Sequence, residues 1–226
     1  MKTLEEKINK AHNVIREALK KWKKEDIFIA WTGGKDSTVL LHLVREVFKG
    51  KIPFKIFFND STLEFPEIYR FVKKIEKDWK LNLLWIKHLP EDLEDYEKTK
   101  NKEKKMEIMS IAKINAINFV ISKYKVKAFL SGIRRDEHRN RAQEKYFSPR
   151  PTNIRVHPIL DFTLNDIWTY IKKYKVPYVS LYDKGYKSLG EAPFTKPVKN
   201  KNAHERTGRE ATKEKTMDRL RKLGYW

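Results

Sequence analysis

Residues Ile27–Leu41 read IFIAWTGGKDSTVLL, and the order of residue types in this stretch decides the fold. An apolar run ends in Gly33-Gly34. Lys35, Asp36 and Ser37 follow at once, and a helical apolar pattern then begins. A phosphate cradle at a strand-to-helix turn requires this order. Two glycines let backbone N–H groups approach an anion without interference from a Cβ. The helix N-terminus adds its unpaired donors and partial positive charge. Lys35 adds a full charge, and the Ser37 hydroxyl can donate to a phosphate oxygen. The competing interpretation, a plain glycine turn between a buried strand and a helix, leaves the Lys-Asp-Ser run unexplained.

Two familiar phosphate loops fail here. A Walker-type loop needs glycine five positions before Gly34 and Ser or Thr directly after the lysine. Those positions hold Ile29 and Asp36. The dinucleotide fingerprint G-x-G-x-x-G fails because Gly33 and Gly34 are adjacent and no third glycine follows nearby. What remains resembles the pyrophosphate loop of the ATP pyrophosphatase superfamily, S-G-G-x-D-S, with Thr32 in place of the first serine. In that superfamily the loop grips the pyrophosphate end of ATP while chemistry occurs at the α-phosphorus.

Outward from the loop, apolar positions alternate between helical and extended patterns. Leu4, Ile8, Ala11, Ile15, Ala18, Leu19 and Trp22 recur at helical spacing. Strands are expected at Ile27–Trp31, Phe54–Phe58, Leu83–Lys87 and Val126–Ser131, with helices at Lys35–Lys49, Phe65–Trp79 and Lys102–Tyr124. This alternation predicts an α/β fold with a doubly wound parallel sheet. Ligands then sit at the carboxyl ends of the strands, where Thr32–Ser37, Asn59-Asp60-Ser61 and Ser131-Gly132 share one crevice. Arg134–Arg155 shows no periodicity and reads as a long loop near that crevice. Thr163-Leu164-Asn165-Asp166 reads as a helix start, with Ile167, Trp168 and Ile171 as its apolar stripe. A last helix is expected at Thr212–Leu223, with Trp226 docking on the body. The organisation is an N-terminal helix over 1–24, a nucleotide-binding domain over 25–200 and a helical tail over 201–226.

The 226 residues contain 40% hydrophobic residues, enough for a core, and no cysteine. There is therefore no disulfide, thiolate metal site or cysteine nucleophile. No apolar run has the length of a membrane span and the N-terminus has no signal-like region, so a cytoplasmic protein is expected and a membrane is not. Fifty Lys+Arg against 30 Asp+Glu give a net charge of +20. Solvated surface lysine, as in Lys98–Lys105, accounts for this better than a nucleic-acid surface, because no basic stripe interleaved with aromatics appears.

Arg134, Arg135, Arg139 and Arg141 place four guanidinium groups within ten residues. Planar, permanently charged forks suit oxyanions such as sulfate or a leaving pyrophosphate. A surface run neutralised by Asp136 and Glu137 is the alternative; the neighbouring phosphate loop favours an anion clamp.

Five segments in this order resemble the phosphoadenosine-phosphosulfate reductase family. They are Thr32–Ser37; Asn59–Thr62 with Phe65-Pro66-Glu67; Gly132–Glu137 with Arg139 and Arg141; Val156–Leu160 with Asp166-Ile167-Trp168; and Leu181–Gly190. The resemblance covers roughly residues 25–200 and implies the adenine nucleotide α-hydrolase-like (HUP-type) fold. The family holds thiol-dependent reductases, the small ATP-hydrolysing subunit of sulfate adenylyltransferase, and FAD synthases. The reductases attack sulfur with a cysteine thiolate near the C-terminus, which this chain lacks. The other branches transfer AMP from ATP and release pyrophosphate. Gly132–Glu137 with the arginine pair looks most like the sulfate adenylyltransferase subunit. The resemblance thus implies ATP and Mg²⁺ as cofactors, an anionic acceptor, and a GTPase partner subunit; a homodimer stays open. Lys35, Asp36, Arg134 and Arg135 are the expected catalytic residues. Thr32, Gly33, Gly34, Ser37, Asp60 and Gly132 are expected to bind the nucleotide, and Arg139 and Arg141 the acceptor or pyrophosphate anion. Metal ligands are not assigned. FMN adenylylation and adenylation of a tRNA base are the alternative activities.

Overall fold

The computed structural model describes residues 2–200 and 202–209. Helix α1 spans Leu4–Lys21 and starts at a capping box in which Thr3 and Glu6 satisfy each other's backbone N–H groups. Strand β1 (Ile27–Ala30) leads into α2 (Lys35–Val47). Next come β2 (Lys55–Asp60), α3 (Pro66–Asp78), β3 (Leu83–Lys87), α4 (Pro90–Lys98), α5 (Lys102–Lys123) and β4 (Ala128–Leu130). The last elements are β5 (Phe147–Pro149), β6 (Ile154–Val156) and α6 (Leu164–Tyr174).

The strands form one six-stranded sheet in the order β3-β2-β1-β4-β6-β5. Each central strand sends alternate residues to opposite faces. Ile27, Ile29, Ile56, Phe58, Ala128 and Leu130 join one core with α1, α2, α3 and α6. Phe28, Phe57 and Phe129 join a second core with Ile117, Val120 and Ile121 of α5. Burial on both faces explains why these strands are nearly continuous apolar runs in the sequence.

The structure departs from the sequence expectation in three places. The sheet is mixed, because β5 pairs antiparallel with β6 at the edge while β6 runs parallel to β4. β5 lies inside the 134–155 stretch expected to be a loop, and β6 begins at its end. Each has three residues, too few to establish an alternating pattern, and Pro149 is tolerated because β5 is an edge strand. Helix α4 was also not expected. Its apolar contacts are half-buried Leu93 and Tyr96 against Met106, Met109 and Phe194, too few to mark a periodic stripe; Pro90 at its first position starts it. The Thr163 helix start has the expected form, with a capping box to Asp166. The helix expected at 212–223 and the docking of Trp226 lie outside the described residues. No described helix is long and apolar enough to cross a membrane.

β1 is followed in the sheet by β2 on one side and by β4 on the other. The chain therefore switches direction between β1 and β4, and a crevice opens above their carboxyl ends.

Candidate active site

The crevice is built on the turn from β1 to α2. Gly33 adopts φ +72°, a conformation that a side chain would strain. Gly34 is the N-cap of α2 and provides no side-chain cap, so the first amides of the helix depend on other acceptors. The amide of Lys35 finds one in the hydroxyl of Tyr182, at 3.0 Å. The Thr32 amide donates to Ser37 Oγ at 3.3 Å, and the two hydroxyls lie 3.2 Å apart. Trp31 Nε1 donates to Thr38 Oγ1 at 3.0 Å, fixing the strand end to the helix.

Gly132 closes the other side. A Cβ at this position would lie 2.9 Å from Ser37 Cα and 3.0 Å from the Asp36 carbonyl atoms. The glycine therefore serves the approach of the β4 turn to the first turn of α2. This is a more local reason for glycine than the expected approach of backbone to a nucleotide.

Below the loop lies a buried charge network. Lys35 and Arg134 are 1% and 0% exposed. Lys35 Nζ donates to Asp36 Oδ2 at 3.0 Å, to the Lys187 carbonyl at 3.4 Å and to Glu205 Oε1. Arg134 donates to Asp36 Oδ1, to Asp136 Oδ1 at 3.0 Å and to Glu205 Oε2. Burial disfavours the charge on Lys35, but Asp36, Tyr182 and Glu205 outweigh it and hold the ammonium above its ordinary range. Burial is likewise outweighed at Arg134, chiefly by Asp36 and Glu205. The Tyr182 hydroxyl, pushed up by burial to about 12, stays protonated at neutral pH. Such buried ion pairs gain little stability against their desolvation cost. They hold fixed charge out of water, where a charge acts on a neighbouring group with little screening.

Glu137 makes a second node. Its carboxylate accepts from Arg141 and, at 2.8 Å, from Arg206. Burial raises its pKa, but Arg141, Arg206 and Arg134 dominate and hold it well below the usual carboxylate range. A depressed folded-state pKa contributes stability above the unfolded value of about 4.5, lost as pH falls toward the folded value. The stability difference between wild type and Glu137→Gln, from urea unfolding, is therefore expected to be full at pH 7 and to shrink steadily below about pH 4.5. A difference independent of pH between 7 and 3 would show that these ion pairs do not stabilise the fold.

These groups surround a cavity of about 220 Å³. Phe57, Phe58, Ile117, Phe129 and Ile133 form its apolar wall, and Thr32, Gly34–Ser37, Gly132, Arg141, Arg206 and Arg209 line its polar side. Ser131, also in the wall, is hydrogen-bonded to the buried His157 at 2.9 Å.

The residues expected from sequence thus separate. Thr32, Gly34, Lys35, Asp36, Ser37, Gly132 and Arg141 line the cavity. Gly33 shapes the loop behind them. Asp60 is buried and accepts from the Thr62 amide and from Tyr69 Oη at 2.9 and 2.6 Å, so it holds the β2–α3 turn; Asn59 faces the cavity instead. The four arginines do not converge. Arg134 is in the buried network, Arg135 pairs with Asp161 and the Glu144 carbonyl, and Arg139 is exposed. Only Arg141 of the four reaches the cavity wall. Glu137 pairs with Arg141, as the alternative of a run neutralised by Asp136 and Glu137 has it, while Tyr182, Glu205, Arg206 and Arg209 are not singled out by the sequence. The last three sit in a polar stretch with the composition of solvated surface, and their inclusion depends on a chain return that local patterns do not record. Among the described residues no group of three or more His, Asp or Glu forms a metal-binding cluster.

Comparison with known proteins agrees with this architecture. A model of the phosphoadenosine phosphosulfate reductase domain matches residues 26–197. An adenosine 5'-phosphosulfate reductase of Bacillus mycoides (strain KBAB4) is 32% identical over 201 residues, covering 85% of this chain and 82% of the relative. Sulfate adenylyltransferase subunit 2 of Stutzerimonas stutzeri (strain A1501) is 33% identical over 180 residues, covering 66% of this chain and 57% of that protein. Among solved structures, the phosphate complex of phosphoadenylyl-sulfate reductase from Candida auris superposes with a TM-score of 0.69 at 19% identity, covering 83% of this chain and 90% of that one. FMN adenylyltransferase of Candida glabrata, with FMN and an ATP analogue, gives 0.63 at 24% identity, covering 88% and 69%. These last two likenesses establish a shared HUP-type fold. The chain belongs to the phosphoadenosine phosphosulfate reductase family.

Proposed function

We propose that this protein transfers the adenylyl group of ATP to sulfate, with release of pyrophosphate, as a step of sulfur assimilation. The observation that carries this reading is an intact phosphate loop with a buried, permanently charged Lys35 in a sequence without cysteine. Relatives bear two names, reductase and adenylyltransferase subunit. Thiol-dependent reduction needs a thiolate to take the sulfur, and none of the 226 residues can provide one.

In the proposed reaction a sulfate oxygen attacks the α-phosphorus. A new P–O bond forms, the bond from the α-phosphorus to the bridging oxygen breaks, and pyrophosphate departs with the electron pair. Such chemistry is mainly positioning and charge neutralisation. The first amides of α2, Lys35 and the Ser37 hydroxyl would hold the leaving pyrophosphate, with Thr32 and Gly33-Gly34 shaping the cradle. Arg134 would act through Asp36, which it holds and which in turn pairs with Lys35. Arg141 would face the anionic acceptor, with Arg139 at the rim; Arg135, tied to Asp161, would brace the turn. Asn59 would meet the adenosine, and Asp60 would hold the turn that carries it. Both Asp36 oxygens are engaged by cations, and the described residues offer no carboxylate cluster. Mg²⁺ would accordingly be held mainly by the phosphates, where it would neutralise charge on the leaving group. The subunit name of one relative supports a partner here as well, a GTPase subunit in the reading proposed.

A screen for acceptor-dependent pyrophosphate release from ATP, with sulfate, FMN and tRNA in parallel, tests the assignment. Release with sulfate alone is expected. Release only with FMN or only with tRNA would reassign the acceptor to one of the two alternative activities.

A further inference from the structure

Residues 202–209 lie beyond the matched domain, yet they return to the crevice. Thr195 and Arg209 form an antiparallel bridge, and the Lys196 amide donates to the Gly208 carbonyl at 3.0 Å. A Cβ at Gly208 would overlap the Lys196 carbonyl, so the closure requires glycine there. Lys187 Nζ holds the Ala203 carbonyl at 2.6 Å. The result is a closed segment whose Glu205 enters the charge network and whose Arg206 and Arg209 line the cavity.

Glu205 is placed as a phosphate oxygen would be. Its two oxygens accept from Lys35 and from Arg134, cations 170 and 71 residues away along the chain. A carboxylate and a phosphate make the same demand on such donors: negative charge and two or more acceptor positions. The three donors of the Lys35 ammonium are taken by Asp36, Lys187 and Glu205. A phosphate that engages Lys35 must take over one of them. Asp36 is adjacent in the chain and also held by Arg134, and the Lys187 carbonyl is uncharged. Glu205 is the anionic partner that can leave with its segment. Burial pushes its carboxyl above the ordinary range, against the pull of Lys35, so this seat is costly for the charged form.

We propose that Glu205 is a resident anion in the pyrophosphate seat: a bound pyrophosphate group displaces it from Lys35 and Arg134 and opens segment 202–209, and its return expels the leaving group. Glu205 is thereby a positioning residue outside the recognised domain that sets affinity for the leaving group. The inference rests on the proposed role of Lys35 in holding pyrophosphate.

Titration calorimetry of the full chain with inorganic pyrophosphate tests it in wild type, Glu205→Gln and Glu205→Asp. Removing a competing internal anion raises the population of the open, competent state. Glu205→Gln is expected to bind about tenfold more tightly, and Glu205→Asp, which keeps the charge, to stay within about threefold of wild type. Equal tightening in both variants, or none in Glu205→Gln, would overturn the proposal. A measurement on wild type alone covers the case in which Glu205→Gln does not fold. Amide hydrogen exchange across 202–209 is expected to quicken when pyrophosphate is added. Slower exchange there would overturn the displacement. A wild-type chain that binds pyrophosphate while Glu205→Gln shows no gain defeats this inference alone. A chain that binds neither ATP nor pyrophosphate defeats the proposed function with it.

Discussion

Replacing Lys35 by alanine is expected to lower ATP–pyrophosphate exchange by about 10³-fold, equivalent to about 4 kcal/mol of lost transition-state stabilisation. Lys35 is the charged group of the phosphate loop and is almost wholly removed from water. Its charge therefore acts on an anion with little screening. The same burial means the substitution also costs stability. It leaves Asp36 and Glu205 with Arg134 as their shared cation among the partners described above. Removing one member of a buried ion network costs about 3–5 kcal/mol, against about 5–15 kcal/mol for a whole domain. Exchange must accordingly be measured beside a thermal melt, at a temperature where the variant is folded. A folded Lys35→Ala protein with full exchange activity would remove the loop from the catalytic account.

Gly132→Ala adds one methyl group against the first turn of α2, and a loss of about 10²-fold in exchange is expected. The new Cβ would meet the backbone of Asp36 and Ser37 at 2.9–3.0 Å. Backbone cannot rotate away as a side-chain end can, so the first turn of α2 or the β4 turn must move. A displacement approaching 1 Å at a positioning element costs roughly a hundredfold in rate. The overpacking itself is expected to cost about 1–3 kcal/mol in urea unfolding. Unchanged exchange in this variant, with an unchanged melt, would show that the two turns are not held at the distance that matters.

Much of the fold is legible because its cause is periodic. Ile27, Ile29, Ile56 and Phe58 alternate with Phe28 and Phe57 between two helical layers, and the resulting apolar runs mark the buried strands. Three-residue strands such as Phe147–Pro149 leave no such record, and α4 packs only Leu93 and Tyr96, both half-buried, against its neighbours. The site divides in the same way. Thr32–Ser37 is legible because two glycines followed at once by Lys-Asp-Ser form a distinctive order at a strand-to-helix turn, whereas the reason for Gly132, its approach to the first turn of α2, exists only in the folded chain. The arginines between 134 and 141 are legible as charge but not as direction. Their separation into a buried network, an Asp161 pair, an exposed position and one cavity wall depends on the 3-10 turns at 135–137 and 139–141. Glu205 was illegible for a different reason: its partners Lys35 and Arg134 lie far away in sequence, so only the folded chain relates them.

In the function proposed, this crevice transfers AMP and does not reduce a sulfo group. Exchange of labelled pyrophosphate into ATP, measured with and without sulfate, tests it most directly, because exchange reports the reversible step even where net product is small. Sulfate-dependent exchange by the purified protein is expected. Absence of exchange with every acceptor, together with sulfite release from adenosine 5'-phosphosulfate when an external thiol is supplied, would contradict it.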